Sequence, residues 1–206
     1  ALPIFALRGC IASKRVIGVY DRVVGGLLRD LSKDLLYHCL GHTLDVFRQA
    51  YRLALAEKCS PTEVELVLVA ALFHDTGFLV NAEGHEEESC RLATQYLPEL
   101  GFNSDELNQV SGMIRATKIP QKPLTRLEEI LADADLDYLG RDDYAINSNN
   151  LLQEIELSKK LTTKEWLLLQ EKFLKGHTYF TPTSQKLRNP SKQTTLKNIQ
   201  QQLKIK

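Results

Sequence analysis

Sulfur is scarce in this chain, with one methionine and four cysteines in 206 residues. The cysteines, Cys10, Cys39, Cys59 and Cys90, stand far apart and form no Cys-x-x-Cys pair. That spacing excludes a zinc knuckle and a disulfide framework, and predicts reduced, mostly buried thiols in a cytoplasmic protein. No apolar stretch approaches the roughly 18 residues that a spanning helix needs, so no membrane insertion is expected. Neither sign of charge is in excess, at 26 Lys and Arg against 26 Asp and Glu. A balanced chain offers no broad field for a polyanion, which argues against nucleic acid or an acidic membrane as partner. The start, Ala1-Leu2-Pro3-Ile4-Phe5-Ala6-Leu7, lacks an initiator methionine and the ordered regions of a signal peptide, and reads as a truncated or processed end. Sustained period-two alternation is missing as well, which leaves nothing from which to build a sheet.

What is present is helical periodicity. At 43% hydrophobic, the chain can bury a sizeable core as one domain over 1–206. Val16, Val19, Tyr20, Val23, Val24, Leu27, Leu28 and Leu31 recur at three and four, interrupted at Gly25-Gly26. Val46, Phe47, Ala50, Leu53 and Ala54 repeat the pattern over 42–58. Ser60-Pro61-Thr62-Glu63 supplies a capping box with proline at the first helical position, and starts an apolar helix that ends at His74-Asp75-Thr76-Gly77. Further helices are expected over 86–97, 104–117, 125–138, 142–160 and 163–175, the last behind a Thr162-x-x-Glu165 cap. A final one is expected over 191–203, in a polar tail after Pro190 that lies on the surface or frays. The class is all-α, a compact helical bundle.

A His-Asp doublet at the end of a hydrophobic helix is costly to bury, because a desolvated carboxylate must be paired or bind a cation. His42, His74, Asp75 and an aspartate of the run Ala132-Asp133-Ala134-Asp135-Leu136-Asp137 have suitable chemistry for a metal. Imidazole nitrogen and carboxylate oxygen suit Mn, Mg, Ni, Fe or Zn, with no thiolate to favour zinc. Helical spacing selects Asp135, which continues the Leu127-Leu131 row at i+4. Asp133 falls on the neighbouring face, as a group that orients a histidine, or as the ligand itself if the helix ends early.

These positions, in this order, resemble the His…His-Asp…Asp pattern of the HD-domain superfamily of metal-dependent phosphohydrolases. The likeness extends through Tyr37-His38-x-x-Gly41-His42-Thr43, Ala70-Ala71-Leu72-Phe73-His74-Asp75-Thr76-Gly77, His85-Glu86-Glu87-Glu88-Ser89, Asp133 to Gly140, and His177-x-Tyr179-Phe180-Thr181-Pro182. It spans about 37–182, with an N-terminal helix and the polar tail appended. It implies an HD-type bundle whose ligands converge from three helices, and hydrolysis of a phosphomonoester or phosphodiester of a nucleotide or related metabolite by a metal-activated water. Asp75 and His85 would then be catalytic.

In two-metal members a histidine placed like His85 holds a second ion bridged by the doublet aspartate, so His85 is a candidate second-site ligand or phosphate contact. No histidine stands between His85 and His177 to support it. Lys118 is the expected phosphate cation and Arg141 its alternative. His38 reads as a packing or orienting residue, and His177 as a core, lid or substrate-contact residue. Two other functions compete: an HD-type di-iron oxygenase, which normally needs more histidines than are available here, and a regulatory module that binds metal or nucleotide without turnover. The expected partner is a small-molecule phosphoester, with room left for a homo-oligomer.

Overall fold

A computed structural model describes residues 13–205; Cys10 and the segment 1–7 lie outside the described residues. In chain order the helices are α1 (Lys14–Asp30), α2 (Leu40–Ala56), α3 (Pro61–Phe73), α4 (His85–Tyr96), α5 (Ser104–Ala116), α6 (Arg126–Asp135), α7 (Tyr144–Ile155), α8 (Thr163–Gly176) and α9 (Pro182–Ile205). Short 3-10 turns at Thr76–Leu79, Leu97–Leu100 and Asp137–Gly140 link some of them. There is no strand among the described residues, and none of their helices is long and apolar enough to cross a membrane.

The helix that leads to the His-Asp doublet is the centre of the molecule. Every residue of α3 from Leu66 to Phe73 is buried, so it has no solvent face, and α1, α2, α5 and α6 pack around it. Ser60 and Glu63 close a capping box at its start, with Pro61 in the first turn. Truncating a fully buried side chain here, such as Leu68 or Leu72, to alanine would cost about 2–5 kcal/mol. Arg15 ties the outer helix α1 to this centre: it pairs with Glu65 of α3 and with Glu106 of α5 at 2.8 Å, and lies 3.9 Å over the Phe102 ring.

A second, smaller core forms behind the first. Leu136, Tyr138 and Leu139 pack with Leu167 and Leu174 of α8 and with Leu196 and Ile199 of α9. Here the structure departs from the sequence-based expectation. Residues 182–205 form one helix with Pro190 inside it, and the tail is folded: Lys192 is buried, as are Leu196 and Ile199. The helix starts early because the Thr181 hydroxyl accepts from the Ser184 N–H at 3.2 Å, and burial further along carries it through the proline. Gly140 lets it lie close, since a Cβ there would meet the Arg188 carbonyl oxygen at 2.5 Å. Other differences are small. α1 runs unbroken through Gly25-Gly26, α6 stops at Asp135, and α7 occupies only the middle of the expected 142–160.

Candidate metal centre

Three helix ends meet at one interior point. His42 sits in the first turn of α2, His74 caps α3, and Asp135 is the last residue of α6. Their donor atoms lie within 4.8 Å of one another. His42 Nε2 is 3.1 Å from Asp135 Oδ1 and 3.3 Å from His74 Nε2. Asp75 joins through Oδ2, at 3.1 Å from His74 Nε2 and 3.4 Å from His42 Nε2.

The fully buried His74 donates its Nδ1–H to the Ala71 carbonyl at 2.8 Å, which turns Nε2 toward the two carboxylates. Asp75 Oδ2 is also buried and accepts no hydrogen bond. Carboxylates gathered in this way need a positive charge among them, either a protonated ring or a metal ion. The two aspartates show the same pressure. Burial alone would raise both carboxyls, but His74 beside Asp75, and His42 and His74 on Asp135, hold them below the usual range. For His74, burial favours the neutral ring, yet Asp75 and Asp135 hold its pKa well above the ordinary value. The spacing fits a small cation, because donors about 2.1 Å from a common ion stand roughly 3.0–3.4 Å apart.

Asp75 faces two ways. Its Oδ1 is 3.5 Å from Nε2 of His85, whose Nδ1–H donates to the Ala82 carbonyl at 3.1 Å. Phe78 lies between two histidine rings, 4.2 Å from His85 and 4.1 Å from His38. His38 is held in turn by Glu154 of α7, which also accepts from the Tyr37 and His38 backbone N–H groups. Burial would lower the His38 pKa, but the Glu154 hydrogen bond raises it. Gly77 makes the approach of α4 possible, since a Cβ there would sit 2.0 Å from the His85 carbonyl oxygen. Its N–H donates to the buried Ser89 hydroxyl at 2.8 Å. A cavity of about 370 Å³ opens on this centre, with His38, Asp75, His85 and Asp135 in its wall.

The model of the HD domain family matches residues 39–137, from the start of α2 to just past Asp135. This stretch of the chain is an HD domain. Two solved structures share the fold. One is a predicted HD superfamily hydrolase from an uncultured Thermotogales bacterium, at 21% identity and a TM-score of 0.61, covering 92% of this chain and 90% of that one. The other is a protein from Lactobacillus plantarum, at 17% identity and a TM-score of 0.64, covering 95% and 100%. No curated protein matches the chain. An HD domain implies a divalent metal, and His42, His74 and Asp135 form a group that could hold one, with Asp75 alongside.

Other residues singled out in the HD sequence lie elsewhere. Asp133 orients no histidine: it is fully buried, and its carboxylate accepts from the Phe180 N–H at 2.9 Å and from the Thr181 N–H and hydroxyl at 2.8 and 2.7 Å. Lys118 is exposed and lines a separate surface groove with Arg115 and Lys122, while its neighbours Thr117 and Ile119 line this cavity. Arg141 is occupied by Asp45 at 2.7 Å, by Asp137 at 3.3 Å and by Asp143. His177 accepts from Lys192 Nζ at its Nδ1, 3.2 Å away, and lines a neighbouring cavity with Phe173 and Phe180. Sequence reasoning missed Glu154 and Phe78. Nothing marks an exposed-looking helical glutamate as the partner of a histidine 116 residues away, whereas Phe78, just after the doublet, was within reach of the motif.

Proposed function

We propose that this HD protein is a metal-dependent hydrolase that cleaves a phosphoester, a monoester or a diester, by attack of water on phosphorus. The observation that carries this reading is the convergence of His42, His74 and Asp135 on one buried point, with Asp75 beside both histidines, next to a ligand-sized cavity. When bound there, a divalent ion would lower the pKa of water toward about 7 and polarise a phosphoryl oxygen.

The residues of the chain divide the remaining work. The Ala71 carbonyl fixes the His74 ring, and the two oxygens of Asp75 serve different histidines. His85 has spent its Nδ1–H on Ala82, so its Nε2 is an acceptor in the cavity wall. It is placed to take the proton of the attacking water and return it to the leaving oxygen as the new P–O bond forms and the ester P–O bond breaks. The wall is mostly apolar, so a substrate seated against it would displace water and strengthen each of these electrostatic contacts.

Metal analysis of the purified protein, followed by phosphate release from a panel of phosphoesters with Mn, Mg, Ni, Fe or Zn, tests the reading. Turnover should stop on chelation and return with metal. Release that survives chelation would overturn it, and oxygen consumption by an iron-loaded sample would replace it with an oxygenase.

A further inference from the structure

The cavity wall facing the metal centre is built largely from helices beyond the part of the chain that the HD family model matches. α7 and α8 both follow residue 137. α7 contributes Tyr144, Ser148, Leu151 and Ile155, at intervals of four, three and four, which is one helical face. α8 contributes Trp166, Leu169, Gln170 and Phe173, again one face. Glu154 fastens α7 to the Tyr37-His38 turn, so this wall is anchored beside the metal ligands.

The chemistry of the wall is one-sided. Among the described residues no lysine or arginine lines the cavity, while Asp75, Glu86 and Asp135 do. His38 is already paired with Glu154. A divalent ion would balance Asp75 and Asp135 and leave Glu86 over, so each phosphate beyond the first would enter with no partner and would be repelled in a poorly screened site. Arg141 and Arg188 are already bound to Asp45, Asp137 and Asp143. Leu169 and Ile119, 47% and 51% exposed, also place apolar surface on the cavity. Neutral polar groups complete the wall: Tyr37, Thr117 and Tyr138 bring hydroxyls, and Gln170 brings an amide. The Gln170 Oε1 accepts both the Tyr144 and the Ser148 hydroxyls, at 2.7 and 2.8 Å, which fixes the amide and leaves its NH₂ as a donor. A volume of about 370 Å³ is at the small end for a ligand pocket.

We infer that the substrate carries a single phosphate on an apolar, ring-bearing alcohol or phenol, and that α7 and α8 select against nucleoside di- and triphosphates. This rests on the hydrolase reading above and names its substrate class. The resemblance suggested a nucleotide; the cavity favours a less polar group.

Trp166, the single tryptophan of the chain, lies in this wall and reports binding directly. With metal in excess, phenyl phosphate should shift Trp166 emission and bind at least tenfold tighter than ADP or inorganic phosphate, with AMP in between. Leu151→Lys, which puts a cation in the wall, should narrow or reverse the preference over ADP with metal content unchanged. ADP binding as tightly as phenyl phosphate to the unaltered protein, or no Trp166 response to any of these ligands, would overturn the inference. Because binding is read without turnover, phenyl phosphate that binds as expected while no phosphoester is cleaved would sink the hydrolase reading and leave the ligand class standing. Cleavage that favours ADP would do the opposite.

Discussion

Asp133 and Thr181 are joined twice, through the threonine N–H at 2.8 Å and its hydroxyl at 2.7 Å, both on Oδ2. With the Phe180 N–H on Oδ1, this aspartate holds the start of α9 against the end of α6. Asp133→Ala would leave the buried Thr181 N–H and hydroxyl and the half-buried Phe180 N–H without their acceptor, and should cost on the order of 3 kcal/mol in urea unfolding. Metal per folded molecule should be unchanged. A variant that keeps its stability but loses metal would place Asp133 among the ligands.

His74→Ala, Asp75→Ala and Asp135→Ala should each abolish metal retention. In the unaltered protein, metal at a hundredfold excess over its dissociation constant should add about 2.7 kcal/mol to stability. Thermal unfolding with and without metal would show that shift, and the three variants should lack it. A shift that persists in all three would move the ion elsewhere.

Gly77→Ala drives a Cβ into the His85 backbone. Repacking should cost about 1–3 kcal/mol and displace His85 from Asp75. Turnover should therefore fall much further than metal content. Equal losses of both would mean that His85 has no part in the reaction.

Lys118→Ala should leave metal content and turnover within about twofold, as is usual for a solvated surface charge. A large rise in KM for a phosphoester would show that Lys118 reaches substrate after all.

His177 gives a pH signature away from the metal. Burial, with Lys192 beside it, pushes its pKa down from 6.5 to about 3. The unfolded chain then takes up this proton first as pH falls, so stability should be full above about pH 6.5 and decline progressively toward pH 3. His177→Phe should flatten that slope between pH 6.5 and 4 in urea titrations. An unchanged slope would assign the acid sensitivity to the carboxylates.

Local physics made much of this protein legible in advance. The capping boxes at Ser60 and Thr162 appear as written in the sequence, because they depend only on residues three apart. The i+4 row from Leu127 through Leu131 leads to Asp135, and α6 ends on that residue beside His42. A third capping box, Asn103 with Glu106, was equally local and went unread.

Contacts distant in the chain were decided only by folding. Pro190 reads as a break because proline lacks an N–H and crowds the preceding turn. Burial of Leu196 and Ile199, and the hold of Asp133 on Thr181, outweigh that local cost, and no window of sequence contains both sides of the balance. Lys118 and Arg141 both stood as free cations on paper, with Lys118 the expected one. Three aspartates claim Arg141, while Lys118 belongs to a different groove from its neighbour Thr117, which lines the main cavity. The sequence alone determined the helical class and the metal-binding chemistry, because periodicity and ligand type are properties of the residues themselves. Tertiary structure decided which charges are spent and what lines the cavity, because pairing and exclusion of water depend on which surfaces meet.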